Sequence, residues 1–353
     1  MKKIIINGDF LCRNLTGIER FAFEVCNEID KIAKNNEFEI LVPKNAKIIP
    51  SFKKIKISIS KKQCISFPFW EHIIFANYIR KNNAISLDFS NVSPLFSQGI
   101  VFIHDIYAKL YAKDFKTIKE KLIKLYMCLM YNNAIKYSSL IFTVSEFSKI
   151  QITNVYKFSK DKIFIIPNGW EHFSKINPDF SIIEKFDLLS SDFYFTLGSL
   201  SQRKNLKWIA DYAEKNPNEL FAISGKAISG LIPQELQKLQ TLKNIILLGY
   251  VSDEQVKALM LKCKAFIFPS YYEGFGIPPL EALSCGCKII ISDAASLPEI
   301  YQNSAYYINP ENTNVKLNEL LNGSVDSPSK ILSKYTYHNA AETFYKIIKN
   351  NKK

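Results

Sequence analysis

No apolar run in this 353-residue chain is long enough to span a bilayer; the longest, near Ser139–Val144 and Ile245–Leu248, have the length of strands. The opening MKKIIINGDF is apolar for five residues and then meets Asn7-Gly8-Asp9. It therefore reads as a first buried strand and not as a secretory leader. Seven cysteines lie among apolar neighbours, and no His or Cys pair joins Cys285 and Cys287 at zinc-site spacing. A reduced, cytosolic protein is the simplest account. No GxGxxG occurs, so the nicotinamide-dinucleotide fingerprint is missing, and neither an Asp-x-Asp triplet, an internal repeat nor a low-complexity tract is found. Arginine is scarce too. Only Arg13, Arg20, Arg80 and Arg203 stand among 46 basic residues, so each one draws scrutiny.

The length suggests two domains, and 47% apolar residues suffice for two ordinary cores. Charge divides the chain unevenly. Residues 1–168 carry 26 Lys+Arg against 14 Asp+Glu (+12), and residues 169–353 carry 20 against 19 (+1). A basic half implies an anionic partner: nucleic acid, a membrane or a phosphorylated substrate.

Along the first half, apolar strands at 3–7, 37–43, 54–60, 85–90 and 99–107 alternate with helical patterns. Thr16-Gly17-Ile18-Glu19 has the form of a capping box opening a helix with Ile18, Phe21, Val25 and Ile29 on one face. That places Gly17 and Arg20 at a helix start beyond a strand, a position suited to an anion. His104-Asp105 falls where another strand ends. Tyr107–Tyr137 reads as one helix whose lysines (109, 113, 116, 119, 121 and 124) are interleaved with aromatic and aliphatic residues, a pattern suited to an anionic bilayer surface. Ser145 caps the helix of TVSEFSK, and a Pro-Asn-Gly turn closes the strand Lys162–Ile166, where the charge balance changes.

The second half restarts the alternation. Phe193–Leu197 is followed by a loop with Gly198, Arg203 and Lys204, then by a helix from about Asn205; two adjacent cations at such a loop form a diphosphate clamp, the Arg as a fork and the Lys as a point charge. Strands ending at Gly225-Lys226 and at Gly249-Tyr250-Val251 follow, with Ser252 or Asp253 capping the next helix. Lys264–Glu299 reads as one βαβ unit: strand Ala265–Ser270, a loop with two glycines, Pro278 and Pro279 in the first turn of a helix, Gly286 just past its end, and strand Lys288–Ile291. Its carboxylates Glu273 and Glu281 stand at the loop and on the helix. In a parallel sheet all these loops meet at one edge, which suits a phosphorylated, hydroxyl-rich ligand.

Taken in order, NLTGIERF, IHD (103–105), TVSEFSK (143–149), IPNG (166–169), GSLSQRKN (198–205) and EGFGIPPLE (273–281) resemble the nucleotide-sugar-dependent glycosyltransferases of the retaining GT-B class, family 4 (glycosyl transferases group 1), of the bacterial surface-polysaccharide type. The resemblance implies an α/β fold of two Rossmann-like, doubly wound domains facing across a cleft. Residues 1–168 would bind the acceptor, residues 169–330 the nucleotide sugar, and a C-terminal helix within 331–353 would cross back to the N-terminal domain. It implies that Glu281 holds the ribose hydroxyls, Glu273 the donor-sugar hydroxyls, and the amides of Gly274, Phe275 and Gly276 the sugar and phosphates. Arg203 and Lys204 would neutralise the diphosphate, Gly17 would approach it, His104 would contact the transferred sugar, and the backbone of Tyr250 and Val251 would meet the base. No metal or other cofactor is implied, consistent with the missing Asp-x-Asp. One departure is Ser199, where many relatives carry arginine.

The activity so implied moves a hexose or deoxyhexose (mannose, rhamnose or similar) from a nucleoside diphosphate to a polyprenyl-diphosphate-linked glycan, at the cytoplasmic face of the plasma membrane, to which the basic half would bind peripherally. A sugar-nucleotide epimerase or phosphorylase would share the architecture. Nucleic acid is not an expected partner, because the aromatic residues fall within apolar strand and helix patterns rather than on an exposed basic face.

Overall fold

The computed structural model describes residues 2–95, 99–158, 160–189, 192–197, 201–225 and 237–351. Gly198, Ser199 and Lys226 lie outside the described residues. The chain divides into two compact units, Met1–Gly169 with Tyr335–Lys353, and Trp170–Lys334.

The first unit is built on seven strands: β1 (Ile4–Asn7), β2 (Phe38–Val42), β3 (Lys56–Ile59), β4 (Ile85–Asp88), β5 (Ile100–Phe102), β6 (Leu140–Thr143) and β7 (Ile163–Ile165), in the order β3-β2-β1-β4-β5-β6-β7 and parallel throughout. β1 and β2 are buried at every position, as strands covered on both faces must be. β3 is the exception, with Lys56 and Ile59 exposed at the sheet's edge. Helix α1 (Ile18–Ile32) buries Phe21, Ala22, Val25, Cys26 and Ile29 against the sheet. The C-terminal helix, Tyr337–Asn350, packs beside α1 and sends Phe344 onto the sheet, 5.0 Å from the Phe142 ring and 5.5 Å from that of Phe102. Burying such a ring contributes about 1.5–3 kcal/mol, which fastens the end of the chain to the first unit.

Two local expectations change. Tyr107–Tyr137 is not one helix: a turn at Tyr107–Leu110 and a tight turn at Ala112–Asp114 precede α2 (Ile118–Tyr137). The break comes from Thr117 and Glu120, whose side chains and backbone form a reciprocal capping box. Thr16, by contrast, does not cap α1. Gly17 is the N-cap, without a side-chain cap bond, and Glu19 pairs with Arg13 at 3.0 Å. Helix α3 (Glu146–Tyr156) is capped by Ser145, whose hydroxyl accepts from the Ser148 N–H at 3.1 Å.

The second unit has six parallel strands: β8 (Phe193–Leu197), β9 (Leu220–Ser224), β10 (Ile245–Gly249), β11 (Ala265–Phe268), β12 (Ile289–Ser292) and β13 (Tyr306–Ile308), ordered β10-β9-β8-β11-β12-β13. The edge strand β13 escapes the sequence reading. Helices α4 (Leu206–Lys215), α5 (Asp253–Lys262) and α6 (Ile277–Ser284) connect the strands. Both sheets are thus doubly wound. Strand order reverses between β1 and β4 in one and between β8 and β11 in the other, and the carboxyl ends of those pairs are where open α/β sheets bind ligands.

Candidate active site

In the second unit the loops after β8 and β11 flank this reversal. The first carries Arg203 and Lys204 in a single tight turn (Gln202–Lys204), and the second carries Glu273. Glu273 is buried, and its carboxylate accepts from Arg203 Nη1 at 2.7 Å and from Lys204 Nζ at 2.8 Å. Burial pushes its pKa up, but the two cations outweigh burial and hold the carboxyl below its ordinary range. Lys204 also lies 4.5 Å from the centroid of the Phe268 ring, at the end of β11.

The backbone explains why these groups meet. Asn205 adopts a left-handed conformation, and its side-chain amide donates to the carbonyls of Pro269 (3.1 Å) and Pro310 (2.8 Å). The Tyr271 N–H donates to the Arg203 carbonyl at 3.1 Å. One loop is therefore clipped to the other, so the cations need little rearrangement to meet an anion. The Glu273 carbonyl accepts from Ser296 Oγ at 2.9 Å and the Gly276 carbonyl accepts from the Tyr301 hydroxyl, which brace the loop from its far side. Gly276, the N-cap of α6, has φ +89°, and a Cβ there would come within 2.6 Å of Leu297 Cδ2. Only glycine fits. Past it, Pro278 and Pro279 occupy the first turn and Gly286 follows the helix at φ +74°, as read from the sequence.

Glu281 stands one turn into α6 and does not join the Glu273 network. Its Oε1 lies 3.0 Å from Nε2 of His172, a residue the sequence reading passed over. A lone histidine after a Pro-Asn-Gly turn offers no signal; only the fold brings it to Glu281. At the end of β10, Tyr250 is exposed and Val251 is buried, with Ser252 and Gln255 forming a capping box for α5.

In the first unit Gly17 opens α1 at φ +53°, ψ −113°, with open space where a Cβ would stand. His104 follows β5 and is buried against Phe21 of α1, ring centroids 5.1 Å apart and edge-on. Its Nε2 lies 2.9 Å from the Phe89 carbonyl, so Nε2 carries the proton and donates. Burial lowers the ring's pKa to about 4, so it is neutral at physiological pH, with Nδ1 as an acceptor.

The reversal between β1 and β4 holds a second buried group. Asn7 donates from Nδ2 to Glu71 and, at 3.2 Å, to Asp88, and its Oδ1 accepts from Trp70 Nε1 at 2.8 Å. Asp9 pairs with Arg13 at 2.9 Å. Burial raises the pKa of Glu71 well above its ordinary range, that of Asp88 to about 7 and that of Asp9 to about 6. Asn7 thus joins two buried carboxyls, and after burial the neighbouring Asp88 charge is the next cause that keeps the proton on Glu71.

Residues 182–340 match the family described as glycosyl transferases group 1. Among curated proteins, the chain is similar to O-antigen chain mannosyltransferase B of Escherichia coli (28% identical, covering 52% of this chain and 51% of that protein). It is also similar to O-antigen chain mannosyltransferase RfbU of Salmonella typhimurium (25%, covering 70% and 68%). The chain thus spans about half the length of the first of these relatives. Among solved structures, Anabaena Alr3699/HepE in complex with UDP-glucose superposes with a TM-score of 0.71 at 14% identity, over 99% of this chain and 100% of that one. WaaG, a glycosyltransferase involved in lipopolysaccharide biosynthesis, gives 0.67 at 15% identity, over 96% and 94%. At such identities these two likenesses establish the GT-B fold alone.

Proposed function

We propose that the chain is a glycosyl transferase of group 1, the family that residues 182–340 match, and that it transfers a hexose or deoxyhexose, such as mannose or rhamnose, from a nucleoside-diphosphate sugar to a glycan in surface-polysaccharide (O-antigen or capsule) assembly, with retention at the anomeric carbon. One observation carries this reading above the others. Arg203 and Lys204 are fastened beside the strand-order reversal, converging on a single buried carboxylate. Two preorganised cations stabilise the charge that gathers on a departing diphosphate, the main electrostatic cost of glycosyl transfer.

On this reading the diphosphate seats on Arg203 and Lys204 and on the amides of Gly274, Phe275 and Gly276 at the N-terminus of α6, where the helix dipole favours negative charge. Glu273 accepts from hydroxyls of the donor sugar while holding both cations in place. Glu281 accepts from the ribose hydroxyls, and the backbone at Tyr250 and Val251 meets the base. The bond from C1 of the sugar to the phosphate oxygen breaks, a bond from C1 to the acceptor oxygen forms on the same face, and the acceptor's proton passes to the departing phosphate. No metal is invoked, because the protein's own cations supply the charge.

The acceptor on this reading is linked to a polyprenyl diphosphate, and the first unit works against the cytoplasmic face of the plasma membrane as a peripheral protein. No helix among the described residues is long and apolar enough to cross a membrane. Supporting surface contact, Ile118, Leu122, Leu125 and Leu129 form a stripe along α2 at 80, 62, 54 and 54% exposure. Lys109, Lys113, Lys116, Lys119 and Lys121 stand exposed around its N-terminal end. His72 Nε2 lies 3.0 Å from the Tyr126 hydroxyl and ties α2 to the segment that exposes Phe67, Phe69 and Ile73. Apolar side chains ringed by lysines suit an anionic bilayer.

The test is transfer of label from GDP-mannose, UDP-glucose or dTDP-rhamnose to a polyprenyl-diphosphate-linked glycan by the purified protein. Product formed only with acceptor supports the reading. Epimerised donor or released sugar phosphate, without acceptor-dependent product, would assign the fold to another reaction.

A further inference from the structure

We propose that His172 is a positioning residue for the donor site: it fixes the carboxylate of Glu281 in the orientation that takes the ribose hydroxyls. This rests on the assignment of Glu281 to the ribose made above.

The geometry begins with how firmly His172 is held. It lies in the short turn Glu171–Ser174, directly after the first residue of the second unit. On one side the Trp170 ring N–H donates to the Leu332 carbonyl at 2.9 Å. On the other, Lys257 Nζ of α5 donates to the carbonyls of Phe173 (2.9 Å), Ser174 (3.1 Å) and Ile176 (2.7 Å). Phe173 is buried, and α6 packs against both Glu171–Ser174 and Ser329–Lys334. The imidazole is therefore presented from a turn pinned at both ends.

Glu281 needs such a partner. Its carboxyl hangs on three rotatable bonds, and the hydroxyl one turn on along α6, that of Ser284, donates to the Glu281 backbone carbonyl at 2.6 Å rather than to the carboxylate. The His172 Nε2–H occupies one lone pair of Oε1 at 3.0 Å, in a setting where the His172 and Glu281 side chains are 6% and 12% exposed. A donor aimed at one oxygen stops rotation of the carboxylate and leaves the other oxygen to accept from a diol. A preset acceptor forgoes the ordering cost that a free glutamate meets on binding. A wrongly aimed one leaves the diol poorly paired.

The measurement is the ratio of affinities, by calorimetry on the full chain, for UDP over 2′-deoxy-UDP and for GDP over 2′-deoxy-GDP, whichever pair binds. We expect His172→Leu, which keeps apolar bulk but cannot donate, to cut that ratio about tenfold. His172→Gln carries an amide N–H at nearly the same reach and should restore the ratio to within about threefold of the wild type. In turnover, His172→Leu should raise donor KM and leave kcat within about threefold. The proposal is overturned if His172→Leu keeps the wild-type ratio, or if Gln and Leu lower it equally, since only ring packing would then matter. Glu281→Ala separates this from the assignment beneath it. If that change leaves the ratio intact, the ribose assignment fails. If it abolishes the ratio while His172→Leu does not, only the role of His172 fails.

Discussion

Replacing Glu273 by glutamine puts opposite demands on two functions of one residue. In the unliganded protein the carboxylate is the counter-charge for Arg203 and Lys204, whose side chains are 29% and 12% exposed. Removing one partner from a buried ionic network costs about 3–5 kcal/mol; since Arg203 remains in reach of water, about 2–3 kcal/mol is the expectation for the second unit. Binding of the bare nucleoside diphosphate should change the other way. A phosphate seated on both cations would place its charge roughly 6 Å from the carboxylate, a repulsion of about 1–3 kcal/mol at an effective dielectric of about 20–40. Glu273→Gln should therefore bind UDP or GDP about tenfold tighter in calorimetry while melting at a lower temperature. Sugar transfer should fall by at least about a hundredfold, because the acceptor for the donor-sugar hydroxyls is lost. A variant that binds nucleoside diphosphate more weakly and transfers sugar normally would refute the reasoning on both counts.

Three further outcomes follow from the first unit. Asp88 and Asp9, raised by burial to about 7 and about 6, bind protons in the folded state that the unfolded chain has already released. Their contribution to stability is complete below about pH 4 and is lost as pH rises through about 6 to 7, so thermal unfolding of this unit should show about 2–4 kcal/mol less stability at pH 8 than at pH 5. Phe344→Ala should destabilise the same unit by about 3–5 kcal/mol in urea unfolding, with little change in nucleoside diphosphate affinity. Leu122→Asp with Leu125→Asp should abolish flotation with anionic vesicles without lowering the melting temperature, since both side chains are exposed; flotation that survives would place the membrane surface elsewhere.

The strands were legible because parallel strands covered on both faces read as apolar runs, as the III of β1, the ILV of β2 and the AFIF of β11 do. Arg203, Lys204 and Glu273 could be nominated from their places at strand ends, since topology alone gathers such loops at one edge. What escaped depends on contacts between distant segments. Thr16 and Thr117 both head a Thr-x-x-Glu motif, yet only Thr117 caps a helix, because Arg13 claims Glu19 and Gly17 takes a backbone conformation that displaces Thr16. The Asn7–Glu71–Asp88 cluster joins residues 64 and 81 positions apart, and His172 reaches Glu281 across 109. Nothing local in the sequence records these meetings.

Whether Arg203 and Lys204 form the diphosphate clamp of a sugar transferase is decided by single-turnover transfer from a labelled nucleoside-diphosphate sugar to a polyprenyl-diphosphate-linked glycan, comparing the wild type with Lys204→Ala. A clamp of this kind gives acceptor-dependent product from the wild type and at least about a hundredfold slower transfer by the variant, the loss expected when one preorganised charge is removed from a developing oxyanion. Equal rates from the two proteins would contradict it.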